Sequence, residues 1–442
     1  MIKRAKIYTH QLKYLFDWLI KWTVAGVVVG VITGVVVGGF LLTLYKTIDA
    51  MSGKPERLAL LPFALTLSLF LSRKFFPSAR GASIEQVIKL IHKRNATINH
   101  IGFIIIFITT VLTIGFGGSA GKAGPAGYIG ASLSALLGNF TRSLLKSIGI
   151  KMPSEDNKWF IMLGISGAFA TVFGTPVAGG LFALEVVYMN YFPYNMLYPS
   201  LISGYSALYV AKHLYNLTYI HFPHINVPPM GPKVILLVVV GGITFGILAR
   251  LFIDFKDFTE ETLARWHVSP YIKAFVGGVI IALLGALVGH QRWHGLGTET
   301  ITAALNGEYI PLIDPLGKIV LTSLTLSVGG SGGLMTPLFF VGATSGNIIA
   351  RLLGVPFVSF GAALGFAAVA GAAANAPLAT MVMVSELFGA NMILPAAMAV
   401  FIAFEIVGPR SIYPSQIVKV TKDVYRINTA RHIMEEEENK DQ

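Results

Sequence analysis

Gly117-Gly118-Ser119-Ala120-Gly121-Lys122-Ala123-Gly124-Pro125 and Gly329-Gly330-Ser331-Gly332-Gly333-Leu334-Met335-Thr336-Pro337 are two versions of one phrase, set a constant 212 residues apart. Each is a glycine-rich turn closed by a proline, and each interrupts apolar sequence. Glycine lets successive backbone N–H groups turn toward a common point, and proline suits the first turn of a helix. A helix N-terminus with free amides attracts anions. Two such turns, if they meet, surround one ion with donors.

The sequence around the turns belongs in a bilayer. With 54% hydrophobic and 13% charged residues among 442, and a mean hydropathy of +0.67, the chain has too little polar sequence to cover a surface facing water. Apolar runs recur at Val24 to Leu44, Ile101 to Phe116, Val234 to Leu248, Phe275 to Val288 and Met392 to Ile406. Some reach the roughly 20 residues that span a membrane, and others fall short. Short runs broken by glycine and proline predict tilted or discontinuous helices lining a site. The expected fold class is an all-α integral membrane protein, with residues 23–418 as the membrane domain.

The flanks are charged. Residues 1–22 carry Lys3, Arg4, Lys6, Lys13 and Lys21 and lack a signal-peptide cleavage pattern, so they are expected to be retained and cytoplasmic. Residues 419–442 read as a short charged cytoplasmic tail ending in Glu435-Glu436-Glu437-Glu438, with no regulatory module attached. The net charge of +12 is assigned to loop and terminal cations at a membrane surface, not to nucleic acid. The absence of cysteine excludes disulfides, thiolate metal sites and iron–sulfur clusters. His221 and His224 sit in a proline-rich loop, and no histidine pairing at helical spacing marks a metal site, so no metal or other cofactor is expected. The apolar helices offer serines without an evident His/Asp or lysine partner, which argues against an enzyme.

The duplication extends beyond the turns. Gly81-Ala82-Ser83-Ile84-Glu85 and Gly295-Leu296-Gly297-Thr298-Glu299 precede them, each opening a helix. Gly164 through Pro176 to Glu185, and Gly365 through Pro377 to Glu386, follow them with the same internal spacing. Three matches in one order define two halves, about residues 60–215 and 233–408. Parallel and inverted topologies both remain open on sequence alone. An inverted pair brings equivalent helix N-termini to the midplane from opposite sides, where partial charges replace an anion's hydration without trapping it.

The order Gly-Lys-x-Gly-Pro at 121–125, Gly-x-x-x-Pro at 333–337 and an isolated tyrosine at 413, in a duplicated hydrophobic chain, resembles the CLC family of chloride channels and proton-coupled chloride transporters. The resemblance covers about residues 20–418. It implies a CLC-type inverted repeat and a homodimer with one pore per subunit in the cell membrane, both termini cytoplasmic. The apolar contact helices would be Val177 to Met189, Leu197 to Leu214, Pro377 to Leu387 and Met392 to Phe404. Chloride would be held by the amides of Leu334 and Met335, the turn Lys122, Ala123 and Gly124, and the Tyr413 hydroxyl. The family's Gly-Ser-Gly-Ile-Pro reads Gly81-Ala82-Ser83-Ile84-Glu85 here. Either Ala82 has lost the hydroxyl ligand or a one-residue shift returns it through Ser83.

Two departures bear on mechanism. The family usually places a gating glutamate where this chain has Ala123, and its exchangers place an internal proton-carrying glutamate where it has Val186. A methyl group neither mimics chloride nor titrates. The expected function is passive, chloride-selective, channel-like transport without proton coupling. The alternatives are a chloride/proton exchanger with non-standard coupling, a carrier of nitrate, fluoride or bromide, and a non-transporting scaffold.

Blander roles stand beside these. Ser83 and Ser331 suit helix caps, Tyr413 an interfacial anchor, and Lys122 a snorkelling or paired cation instead of one that concentrates anions at a mouth. The matched acids Glu185 and Glu386 are expected to accept hydrogen bonds from backbone amides, because an intramembrane carboxylate needs partners.

Overall fold

The computed structural model describes residues 2–51, 56–77, 83–92, 101–147, 156–189, 192–217, 222–287 and 291–418. The tail 419–442, His221 and Ala82 lie outside them, and of Ser83 only the backbone is described. The first half comprises α1 (Ile2–Met51), α2 (Glu56–Phe75), α3 (Ser83–His92), α4 (Gly102–Gly115), α5 (Ala123–Ser147), α6 (Asp156–Phe173), α7 (Pro176–Glu185) and α8 (Leu197–Tyr215). The second comprises α9 (Pro232–Arg265), α10 (Pro270–Leu287), α11 (Thr298–Leu305), α12 (Asp314–Ser327), α13 (Met335–Leu352), α14 (Val358–Ala374), α15 (Pro377–Phe388) and α16 (Ile393–Val407). A parallel pair of two-residue strands, β1 (Tyr188–Met189) and β2 (Ile417–Val418), ties the segment after α16 to the end of α7.

Packing repeats with the sequence. In the first half α1 lies on α8 and α5 on α6; in the second α9 lies on α16 and α13 on α14. These contacts run through small residues, because apolar burial drives no association between helices in lipid and close backbone approach must supply the attraction. Gly26, Gly30 and Gly34 of α1 face backbone oxygens of Pro199, Ser203 and Ala207 on α8, and Gly242 and Gly246 of α9 face those of Ala399 and Ala403 on α16. Four helical stretches among the described residues are long and apolar enough to cross a membrane: Gln11–Met51, Leu58–Phe75, Pro232–Arg265 and Ala390–Val407. Their outer faces expose Val24, Phe63, Leu236 and Leu394, large apolar side chains suited to lipid contact.

The two turns are built identically. Two residues beyond the end of each helix before the turn stands a glycine with positive φ, Gly117 at 102° and Gly329 at 107°, a conformation that L side chains rarely adopt. The next amide folds back, Gly118 N–H to the Thr113 carbonyl at 2.8 Å and Gly330 N–H to the Thr325 carbonyl at 2.9 Å. Then the halves interlock. The Ser119 amide donates to Thr325 Oγ1 at 3.2 Å and the Ser331 amide to Thr113 Oγ1 at 2.9 Å. The Ser119 hydroxyl meets that of Thr322 at 2.9 Å, and the Ser331 hydroxyl meets that of Thr110 at 3.1 Å. Ser331 is therefore a cross-repeat tie and not a helix cap.

The acids expected to bind amides do so across the repeat. Glu185, at the end of α7, accepts from the Leu378 and Ala379 amides at 3.0 and 2.9 Å, in the first turn of α15. Glu386 returns the contact, accepting from the Val177 and Ala178 amides of α7 at 3.0 and 2.8 Å. Each carboxylate satisfies N–H groups that have no partner within their own helix. Glu185 is buried and Glu386 exposed. Glu185→Ala is accordingly expected to destabilise the detergent-solubilised protein by about 3 kcal/mol, the loss of two charge-assisted bonds. Glu386→Ala should cost about 1 kcal/mol or less. Thermal unfolding monitored by tryptophan fluorescence checks the order.

Candidate functional site

The signature turns meet backbone to backbone. Gly121 N–H donates to the Gly333 carbonyl at 2.7 Å, and Gly333 N–H to the Gly121 carbonyl at 2.6 Å, an antiparallel bridge between residues at equivalent places in the two halves. No side chain fits there. A β-carbon on Gly333 would lie 2.6 Å from the Gly124 nitrogen, and one on Gly124 would lie 3.0 Å from the Gly333 Cα. The glycines are thus required by close approach as much as by turn geometry.

The bridge fixes where two helices begin. α5 starts at Ala123 and α13 at Met335, with Leu334 as N-cap and no side chain capping α13. Pro125 and Pro337 lie in those first turns, where a missing N–H costs nothing. Lys122, Ala123, Gly124, Leu334 and Met335 are all buried. The start of α3 joins them: a β-carbon on Gly124 would be 4.0 Å from the Ile84 nitrogen. Three helix N-termini, each carrying partial positive charge, converge in the protein interior.

Tyr413 is brought to the same region by a loop after α16. The Ile412 amide donates to the Ala373 carbonyl at 2.9 Å. Gln416 then acts as a clamp, donating to the carbonyls of Val186 at 2.8 Å and Ala374 at 3.0 Å while its Oε1 accepts from the Ser411 hydroxyl at 2.6 Å. Ser415 donates to Glu85 of α3 at 3.1 Å, which joins this loop to the helix whose N-terminus faces Gly124. Tyr413 itself is 1% exposed. Its hydroxyl has no hydrogen-bond partner among the described residues. Such burial argues against a surface anchor.

Lys122 is 4% exposed, and its ammonium donates to the Tyr45 hydroxyl of α1 and lies 4.9 Å from that ring's centroid. It borders a small cavity of about 40 Å³ together with Tyr45, Thr298, Thr336 and Phe339. Thr336 contributes a second buried hydroxyl without a partner among the described residues. Val186, C-cap of α7, is fully buried, and its carbonyl is the one held by Gln416.

Sequence reasoning missed Tyr45, Thr336, Gln416 and Lys318. Tyr45 and Thr336 carry no local pattern beyond core or turn residues. Lys318 is a fully buried cation on α12 that donates to the carbonyls of Trp293 and Gly295, both at 2.9 Å, just ahead of α11. A lysine inside an apolar helix was its available signal.

A family model described as Voltage gated chloride channel matches residues 64–408. A chloride/fluoride channel protein of Pseudomonas syringae pv. tomato is 32% identical over 392 residues, 87% of this chain and 83% of that one. Among solved structures, a CLC-type fluoride/proton antiporter superposes with a TM-score of 0.82 at 29% identity, covering 90% of this chain and 98% of its own. A slow cyanobacterial Cl⁻/H⁺ antiporter, 21% identical, shares the fold with a TM-score of 0.77 over 89% of this chain and 96% of its own.

Tyr413→Phe removes a buried hydroxyl without a hydrogen-bond partner among the described residues. In halide-free buffer it is expected to raise stability by about 1 kcal/mol, and thermal unfolding checks it. With its paired turns inside an all-α inverted repeat and this span of matching sequence, the chain belongs to the voltage-gated chloride channel (CLC) family of membrane transport proteins.

Proposed function

We propose that this protein conducts chloride passively across the cell membrane, down its electrochemical gradient and without moving protons. The observation that carries the reading is the residue at the head of α5. Ala123 is buried beside the paired turns, where the family's resemblance places a gating carboxylate, and its methyl group neither fills an anion's place nor exchanges a proton. Val186, at the expected internal proton position, is equally apolar and buried.

In this reading the amides of Leu334, Met335 and the Lys122–Ala123–Gly124 turn replace the anion's hydration, together with the Tyr413 hydroxyl and the sequence positions Ala82 and Ser83. Partial charges bind weakly enough for the ion to leave. Lys122 raises the anion concentration at one mouth. The carboxylate on α3, Glu85, is offset by Lys89 at 2.8 Å. The working assembly is a homodimer with one pore per subunit, seated in the lipid bilayer with both termini in the cytoplasm.

A second reading is favoured by the relatives' names: fluoride as the permeant anion, with or without proton exchange. Liposomes separate the two. In vesicles loaded with potassium chloride and shunted with valinomycin, chloride efflux is expected with no accompanying change in external pH. Proton uptake at a fixed ratio to anion movement would falsify passive conduction. Fluoride efflux exceeding chloride under the same conditions would move the assignment to the second reading.

Ala123→Glu supplies a carboxylate at the head of α5. Its ionised form competes for the anion path and its protonated form does not. Efflux is therefore expected to fall by roughly tenfold at neutral pH and to recover as pH drops through the carboxyl's pKa, about 4 to 5 in an unperturbed glutamate. Efflux in this variant that ignores pH between 4 and 8 (about two tenfold steps either side of pH 6) places residue 123 outside the path.

A further inference from the structure

The helix α3 has two faces with different duties. Ile84, Val87, Ile88 and Ile91, at helical spacing, are fully buried, and Ile84 packs over Gly127 of α5, where an added β-carbon would stand 2.8 Å from its Cδ1. Glu85, Lys89 and His92 repeat at i, i+4 and i+7 along a second face. That face meets the segment after α16 and the end of α7. Glu85 accepts from the Ser415 hydroxyl at 3.1 Å and pairs with Lys89 at 2.8 Å. His92 Nε2 lies 3.0 Å from the Val187 carbonyl, and its ring packs edge-on to Tyr188 at 5.0 Å. Tyr188 stands opposite Ile417 in the β1–β2 pair. Helix α3 therefore holds the Tyr413 loop directly at its head and, through β1, again at its tail.

The contact at the head depends on the chemistry of one side chain. In either register of the Gly-Ser-Gly-Ile-Pro pattern, the residue matched to position 85 is a proline or an isoleucine, and neither side chain accepts a hydrogen bond. The Glu85 side chain is 12% exposed and that of Lys89 58% exposed. The ion pair is thus the wet end of the group and contributes little, while the bond from Ser415 is shielded and assisted by the charge. The other ties of the loop run elsewhere: Ile412 to Ala373, and Gln416 to Val186 and Ala374. Those ties fix the loop against α7 and α14, and the Ser415–Glu85 bond fixes it against α3.

We propose that Glu85 is a positioning residue of the anion site: by accepting the Ser415 hydroxyl it seats the Tyr413 phenol at the head of α3, and so sets how closely that phenol approaches the permeating chloride. The inference rests on the reading that the Tyr413 hydroxyl contacts the anion. It holds whether transport is passive or proton-coupled. A phenol held in place beforehand gives the ion a donor without an ordering cost, whereas a loose one loses its freedom on binding and lowers the affinity by that amount.

Chloride binding to the purified full chain, read by isothermal titration calorimetry in gluconate buffer, tests the assignment. Ser415→Ala and Glu85→Ala are each expected to weaken chloride binding by about fivefold, the effect of one hydrogen bond. The double variant is expected to lose no more than either alone, since both changes break the same contact. Ser415→Thr and Glu85→Gln keep the donor and the acceptor, and are expected to bind chloride no more than about twofold weaker than wild type. Tyr413→Phe is itself expected to weaken binding, and Glu85→Ala added to it to change nothing further. Equal weakening by Glu85→Gln and Glu85→Ala makes the residue a charge and not a positioner, and overturns the proposal. So does full additivity of Ser415→Ala with Glu85→Ala, or wild-type affinity in Ser415→Ala. In those cases a weakened Tyr413→Phe leaves the anion-site reading standing, whereas wild-type affinity in Tyr413→Phe removes the phenol from the site and both fall together. If Glu85→Ala does not fold, Ser415→Ala against Ser415→Thr carries the comparison.

Discussion

Two backbone hydrogen bonds, exchanged between Gly121 and Gly333, hold the heads of α5 and α13 together. A helix that begins inside a membrane leaves amides without water, and each unsatisfied one is costly. The pairing removes part of that cost and aims the remaining amides at common ground. It tolerates only glycine at the bridge, because a β-carbon on Gly333 would collide with the Gly124 backbone. The threonine and serine ties on either side, Thr110 to Ser331 and Thr322 to Ser119, hold the bridge from both halves at once. The carboxylates of Glu185 and Glu386 do the same for α7 and α15.

The symmetry is broken where a site needs a single sense. In the first half the head of α3 approaches Gly124, and the loop carrying Tyr413 is fastened to α3 through Ser415 and Glu85. In the second half the approach to α11 is taken by Lys318, whose ammonium holds the carbonyls of Trp293 and Gly295. At the matching offset of 212 the first half has Ile106. The α3 side thus presents a helix start, tied to the loop that carries Tyr413, and the α11 side presents a cation already committed to backbone oxygens. The buried hydroxyls of Tyr413 and Thr336, both without partners among the described residues, add donors that the helices themselves do not supply.

Much of this was legible in the residues. Hydropathy and the repeated Gly-rich turns pointed to a duplicated all-α membrane protein, because lipid contact and helix starts in a bilayer each demand a restricted set of residue types. The matched spacing of Glu185 and Glu386 foretold carboxylates on backbone amides, since an acid in a membrane has few other partners. The seat of Tyr413 was less visible: its loop is positioned by Gln416 and Ser415, which carry no pattern of their own. Ser331 looked like a cap and is a tie to Thr110, because its neighbour comes from the other half of the chain.

The sequence by itself determined that the chain enters a membrane, that it is built twice over, and that position 123 carries a methyl group instead of a carboxylate. These follow from composition, from spacing and from the chemistry of single side chains. Only the tertiary structure decided that Gly121 pairs with Gly333, that each acid serves the opposite half, and that Ser415 meets Glu85. Each of these joins residues far apart along the chain, and a one-dimensional pattern carries periodicity within an element but not the distance between two elements.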